Sequence, residues 1–453
     1  MTFYKDYDKV LTKLYAEAKH CDIINLTVCD INGIPRSKDI PADVFERVIK
    51  EEGGIGMFSG VYTFGPNSKL FVPEIIKTLG YPDMFLVPAH TSLYNNTWCL
   101  SSKKHDQKVL EVISDLHWKD DKTEFFHSPR HTLNRLLAKL AEKGLSIYSA
   151  MEYEFTVFEK DEITPAWEGP HIYSNQILQN LESPIFELRN SLKVARIPIR
   201  SINSEYGSGQ VEITIFPKFG IQAPDDAFLF KQAVLETFKQ HNFKATFMSK
   251  SSENSSTNSG HFNFSIWNSE KTKNLFFDPN SADNLSTLAH QFISGVVTHA
   301  KALCALLSPS VNCYRRLQPG TFAPYMANWG IESRESFIRA KNESESCTYL
   351  EVRASSGLSN PYIVLLGIIA AGFDGMSKNL NIPPYDGNTS NYDRLPTSLE
   401  ESLDCLENDL ELKDIIGNSF IKHYIEFKRT LEVSILEGYD SIEKERELYM
   451  TLL

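Results

Sequence analysis

Residues 149–158 read SAMEYEFTVF, an apolar run broken twice, at Glu152 and Glu154. Tyr, Phe, Thr and Val favour a strand, and a strand sends successive side chains to opposite faces. Acids two apart therefore share one face. The pattern returns along the chain. In SEYGSGQVEITIF (204–216), Glu205 and Glu212 flank a glycine-rich turn that a hairpin would close. In TYLEVRASS (348–356), Glu351 and Arg353 share a strand face. His261 lies in NSGHFNFSIW (258–267), another strand-like run.

Carboxylates gathered on one buried face repel each other and resist desolvation. A divalent cation resolves this. Hard oxygen ligands suit Mg²⁺ or Mn²⁺, and one imidazole is compatible with either. The arginines complete the pattern: Arg315 and Arg316 in CYRRLQPG, Arg334 and Arg339 in GIESRESFIRA, and Arg353. Guanidinium forks grip carboxylates and phosphates two bonds at a time. Cations beside metal-binding carboxylates suit a site for an acidic substrate and a nucleoside triphosphate.

Working outward, an opening helix (about Phe3 to Ala18) leads into a hairpin, with a strand at Ile23 to Val28 and a turn at Asn32-Gly33. A helix follows near Asp43 to Glu52. Residues 53–105, rich in Gly, Pro, Asn and Ser, read as loops with short strands, and Val109 to Leu116 as a further strand. TEFFHSPR (123–130) marks a boundary, after which Ser128-Pro129 starts a helix with an apolar face at Leu133, Leu136, Leu137 and Leu140. Strands at Ser146 to Glu159, Gly209 to Phe216, Gly260 to Trp267 and Thr348 to Ala354 are interspersed with helices. These run over Asp226 to His241, Thr287 to Leu307 and Asn360 to Lys378. From Ser398 the chain is helical and charged. No P-loop motif occurs, and GGIGMFSG (53–60) misses the dinucleotide fingerprint.

The 453 residues allow two to four domains at roughly 100–200 residues each. Forty-six Lys and Arg against 58 Asp and Glu give a net charge of -12, which makes nucleic acid and anionic membrane poor partners. The longest apolar stretch, Tyr362 to Ala371, is about half of the ~20 residues a membrane span needs, and reads as a buried helix. Seven scattered cysteines without a CxxC pair, and no signal-peptide core, fit a reduced, cytoplasmic chain.

In this order the motifs resemble the glutamine synthetase family: ExE, ExxxGQxE, GH-x-N-x-S, NxYRRLxPG, SRxSxxR, then LEVR followed by NPY. The resemblance runs from about Asn25 onward. It implies an α+β fold: a small N-terminal β-grasp domain (1–122) and a large catalytic domain (123–453) with a curved antiparallel sheet flanked by helices. It implies ATP and Mg²⁺ (or Mn²⁺), with glutamate and an amine as substrates. It also implies a homo-oligomer, a dodecamer of two stacked hexameric rings with sites shared between neighbours. By position, Glu154, Glu205 and Glu212 would hold one metal ion, and Glu152, His261 and Glu351 the second. Arg316 would bind the glutamate α-carboxylate and Arg353 its γ-carboxylate. Arg334 and Arg339 would clamp the phosphates, and Ser265 would lie near ATP. The implied chemistry phosphorylates the γ-carboxylate and then forms an amide.

Departures from the family pattern carry information. The N-terminal Asp that holds ammonium is matched by Ser59 in FSGVYTFG, and the Glu that closes the ammonium site by Phe322 in PGTFAP. A nucleotide-contacting Arg is matched by Tyr349. Tyr392, in SNYDRL, sits near a Tyr that some bacterial members modify. A less anionic acceptor site resembles the γ-glutamyl-amine synthetase branches. GIPRSKDIP (33–41) and PDDAFLF (224–230) resemble lengsin, a non-enzymatic branch, which points to an alternative role as an inactive assembly protein. All six candidate metal ligands are kept, which favours an enzyme.

Overall fold

Alternating apolar residues build two sheets. The computed structural model describes residues 7–52, 54–118, 127–383 and 391–450. The expected helix start at Phe3 and the Thr123–Phe126 part of the boundary stretch lie outside them. The N-terminal sheet holds β1 (Ile23–Cys29), β2 (Pro35–Pro41), β3 (Ile55–Phe58), β4 (Asp83–Asn96) and β5 (Val109–His117), in the order β2-β1-β5-β4-β3. β1 and β2 form the expected hairpin, and β1 runs parallel to β5. This is a mixed sheet of β-grasp type. The reading of 53–105 as loops with short strands is corrected here: β4 is 14 residues long. Its register slips between Pro88 and Leu93, where it pairs with β5. Pro, Asn and Ser gave it a loop-like composition, yet pairing on both sides holds it extended.

The large sheet contains β6 (Leu145–Phe158), β7 (Ile199–Ser204), β8 (Gln210–Ile215), β9 (Lys218–Phe219), β10 (Lys244–Thr246), β11 (Gly260–Asn268), β12 (Trp329–Ile331), β13 (Ile338–Lys341) and β14 (Tyr349–Val352). Its main path is β12-β13-β14-β11-β6-β8-β7, with β9 and β10 paired to β6. Every pairing is antiparallel except β12 with β13. Along β6, Met151, Tyr153, Phe155 and Val157 are buried, and the Tyr153 ring stacks on Phe230 of helix Gln222–Gln240. That face is core. The other face carries the acids.

Helix Pro361–Ser377 is the apolar stretch singled out in the sequence, and residues 361–375 are buried throughout. Asn360 caps it by accepting from the amides of Tyr362 and Ile363, and Pro361 occupies the first turn, where no amide donor is needed. Helix Thr287–Thr298 crosses it closely: a Cβ on Gly295 would lie 2.1 Å from the Ala371 carbonyl oxygen. The single helix expected over Thr287 to Leu307 is two, Thr287–Thr298 and Ala300–Leu307. His299 sits at the break, its Nδ1 2.6 Å from Asp409 and its Nε2 3.1 Å from Asp374. No glycine or proline marks that break in the sequence.

Buried polar groups lock the two parts together. Arg130 reaches Asp115 of β5 (2.6 Å) and forks onto both oxygens of Asp225 (3.0 and 3.1 Å). Tyr362 donates to Asp225 at 2.6 Å, and Tyr94 of β4 to Asp226 at 3.0 Å. Asn360 donates to the Asp30 carbonyl (2.7 Å), and Lys428 to Asn32 (2.8 Å). A buried carboxylate stripped of its cation costs about 3–5 kcal/mol. Arg130→Met leaves Asp225, 0% exposed, without its guanidinium. We expect a loss of that size in unfolding experiments. An unchanged midpoint and slope in urea would show that Arg130 is not the lock.

Candidate active site

Strand register brings the predicted acids together. Glu154 of β6 faces Glu212 of β8, and Glu152 faces His261 of β11. Glu351 of β14 lies across from Asn263 on one side and Arg339 on the other. Glu205 closes the turn between β7 and β8, its amide bonded to the Gln210 carbonyl at 2.8 Å. Gly209 makes that turn possible: its φ is +62°, and a Cβ there would lie 2.4 Å from the Val157 carbonyl oxygen.

The ligand atoms of Glu152, His261 and Glu351 lie within 4.8 Å of one another. His261 Nδ1 stands 3.3 Å from Glu152 and 3.6 Å from Glu351. Glu154 accepts from the Ser259 amide (2.7 Å) and from Gln210 (3.3 Å). Asn203 donates to Glu205 at 3.0 Å. Burial, reinforced by Glu152, Glu154 and Glu205, pushes the Glu212 carboxyl up to about 9. Burial and then Glu154 push Glu205 up to about 7. Burial, with Arg353 next, drives His261 down to about 3, so its ring is neutral. Clustered carboxylates and a neutral imidazole form a donor set that fits Mg²⁺ or Mn²⁺.

Two of the arginines converge on Glu351. Arg353 donates to it at 2.5 Å through Nη1, and Arg339 at 3.1 Å. Arg353 also donates to the carbonyls of Arg334 (2.9 Å) and Phe322 (3.3 Å). Arg339 reaches Glu332 at 2.6 Å. The side chain of Arg334 is exposed. Arg316, which the resemblance assigns to the glutamate α-carboxylate, has backbone carbonyls on its donors. It is buried, and its Nη atoms donate to the carbonyls of Arg353 (2.6 Å), Ala354 (3.2 Å) and Ser355 (3.4 Å). Burial pulls its guanidinium down to about 10.

Ser265 lines a cavity of about 310 Å³ beside this cluster, with Tyr148, Trp267, Asn263 and Tyr349. Arg200 and Lys341 add positive charge there. Sequence reasoning missed both. Lys341 was legible as the next same-face position after Arg339, whereas Arg200 needed strand β7, which lacks a strong apolar alternation. Ser59 lies in the turn Ser59–Thr63, which is buried throughout within this chain.

Residues 126–448 match the family model described as glutamine synthetase, catalytic domain. The chain belongs to the glutamine synthetase family. Its relatives include lengsin of Canis lupus familiaris, 28% identical over 421 residues and covering 90% of this chain and 71% of that protein. Another is the glutamate–isopropylamine ligase of Pseudomonas sp, 27% identical over 434 residues, covering 91% and 92%. A crystal structure described as a novel glutamine synthase homolog superposes with a TM-score of 0.84 at 23% identity, covering 96% of this chain and 99% of that one. That likeness carries the fold. As a member of this ligase family the chain is an enzyme of the carbon–nitrogen bond-forming kind.

The raised carboxyls set a pH test. Glu205 and Glu212 keep protons in the folded chain at pH values where the unfolded chain has lost them. Their contribution to stability is present below about pH 4.5 and is lost as pH rises through about 7 and about 9. A divalent cation binds the ionised forms, so its stabilisation grows with pH. At a hundredfold excess over Kd it reaches about 2.7 kcal/mol. We expect the melting-temperature gap between Mn²⁺ and EDTA to be larger at pH 8.5 than at pH 6.5, and Glu212→Gln to flatten that difference. Equal gaps at both pH values in the unaltered chain refute the ligand assignment.

Proposed function

We propose that this protein is an ATP-dependent glutamate–amine ligase whose acceptor is a primary amine larger than ammonia. Its two steps are attack of a glutamate γ-carboxylate oxygen on the γ-phosphorus of ATP, which breaks the β–γ P–O bond and releases ADP, and displacement of phosphate from the resulting acyl phosphate by the amine. In the second step the amine lone pair forms the C–N bond. The C–O bond to phosphate breaks, phosphate leaves with the electron pair, and the amine nitrogen gives up a proton. One observation carries this reading. A cation-demanding carboxylate cluster, paired with Arg339 and Arg353, adjoins a cavity of about 310 Å³ that carries Arg200 and Lys341, while the position that closes an ammonium site in the family holds Phe322.

In this reading Glu154, Glu205 and Glu212 hold one divalent cation, and Glu152, His261 and Glu351 hold the other. When bound, the cations neutralise charge spread over the transferring phosphoryl oxygens. Arg339 and the exposed Arg334 clamp phosphate oxygens, and Arg353, tethered by loop carbonyls on both sides, orients the γ-carboxylate. Arg316 holds the glutamate α-carboxylate only if it exchanges its backbone partners. Ser265 lies on the nucleotide side. Family resemblance is the ground for a homo-oligomeric ring, and the scattered cysteines without a CxxC pair are the ground for a cytoplasmic setting.

Glu332 does not stand in for the missing acid, because Arg339 and Lys341 hold it at 2.6 Å each. Each charge-assisted hydrogen bond to ammonium is worth about 1.5–3 kcal/mol, on the order of tenfold to a hundredfold in rate or affinity. Phe322 is 77% exposed. We expect kcat/KM for ammonium to fall below that for small alkylamines, and Phe322→Glu to raise the ammonium value by about tenfold or more. Efficient glutamine synthesis by the unaltered enzyme, unimproved by Phe322→Glu, would overturn the reading of this position. Absence of any glutamate-dependent ADP release with ammonium, hydroxylamine and an amine panel would favour the inactive, lengsin-like role.

A further inference from the structure

Large aromatic rings stand in solvent beside the carboxylate cluster. Tyr206 is 51% and Phe322 77% exposed. Their ring centroids lie 5.8 Å apart with planes tilted by 59°, so two distant segments build one apolar wall. Each segment is tied to the reaction centre. Tyr206 follows Glu205, and its amide donates to the Glu205 carboxylate at 3.2 Å. The Phe322 carbonyl accepts from Arg353, whose other arm holds Glu351. A third ring, Tyr173, is 67% exposed and within electrostatic reach of Glu205 and Glu212.

The wall is held against local preference. Phe322 has φ +58°, a left-handed conformation disfavoured for a bulky side chain. Its neighbour Thr321 pins the turn: its hydroxyl donates to the Gln318 carbonyl (2.7 Å), and its own carbonyl accepts from Thr257 (3.4 Å). Surrounding bonds thus hold an outlying backbone in place and present its ring to solvent next to charged groups, the kind of strain that collects at ligand sites.

We propose that Tyr206, paired with Phe322, is the specificity-determining residue for the acceptor, and that the acceptor is a monoamine with an arylalkyl or branched alkyl body. The nitrogen points to the carboxylate face and the carbon body lies on the two rings. A second ammonium would gain only about 0.5–1 kcal/mol from an exposed ring face, less than an apolar body gains by covering both rings. A fully buried methylene improves binding roughly fourfold, the upper bound for one laid on this open face, and ring-on-ring contact adds to that. This inference rests on the amine-ligase reading and sharpens it.

The experiment measures kcat/KM for ammonium, methylamine, isobutylamine, phenethylamine and putrescine, alongside γ-glutamyl hydroxamate formation from hydroxylamine, which reports acyl-phosphate chemistry without a bulky acceptor. The expected result is a preference of the unaltered enzyme for phenethylamine or isobutylamine over methylamine by about tenfold or more. Tyr206→Ala should cut that ratio by about tenfold, while Tyr206→Leu, which keeps an apolar wall, retains most of it. Hydroxamate formation together with a preference for ammonium overturns the larger-amine reading as well as the wall assignment, whereas a preference for methylamine or putrescine overturns the wall assignment and leaves the amine-ligase reading standing. The same holds if Tyr206→Ala leaves the ratio unchanged, including where it alters only the oligomeric state. Absence of hydroxamate and of amine turnover overturns both.

Discussion

Negative charge on one face of the large sheet is the constraint around which the rest is arranged. Glu152, Glu154, Glu212 and Glu351, with His261, project from adjacent strands whose opposite side chains are buried in the core. Such a face cannot turn away without exposing Tyr153, Phe262 and Ile213. It cannot remain anionic without nearby positive charge. The chain answers partly with its own guanidinium groups, which converge on Glu351, and partly with protons, which Glu205 and Glu212 hold far above the usual carboxylate range. Both answers are reversible, as a site for metal ions and anionic substrates requires.

Period-2 alternation made this face legible in the sequence. Glu152 with Glu154, and Glu351 with Arg353, sit in short runs where no other periodicity competes. The turn glycines at 207 and 209 brought Glu205 near Glu212. The N-cap at Ser128 and the apolar helix after Asn360 were equally local signals, and both stand as read. What stayed hidden depends on partners far along the chain. β4 looks like loop because Pro88 and its Ser and Asn residues carry no strand preference, and only pairing with β3 and β5 extends it. The break at His299 is set by Asp374 and Asp409, 75 and 110 residues away. Ser59 was matched by motif position alone, and position does not report that its turn is buried.

Arg316 makes the same point inside the site. Its motif gives the identity of the side chain and its approximate place. Three backbone carbonyls from 353–355 decide what its donors meet. Those carbonyls belong to the segment that also carries Glu351 and Arg353, so one stretch fixes an acid and two guanidinium groups relative to each other. Preorganisation of this kind is where catalytic electrostatics gains most, because the dipoles need not reorganise during the reaction.

The ion pairs around Glu351 also impose an order on charge. Its two carboxylate oxygens are divided between Arg353 and Arg339, and His261 approaches one of them. While both pairs stand, each guanidinium is partly satisfied and attracts an external carboxylate or phosphate less strongly. A cation accepted by Glu351 would compete for those same oxygens and weaken both pairs at once. Arg353 would keep its bonds to the carbonyls of Arg334 and Phe322, so it would stay in position while its Nη1 became available. The backbone tethers thus separate two jobs that one salt bridge would otherwise merge: holding the guanidinium in place, and satisfying its charge.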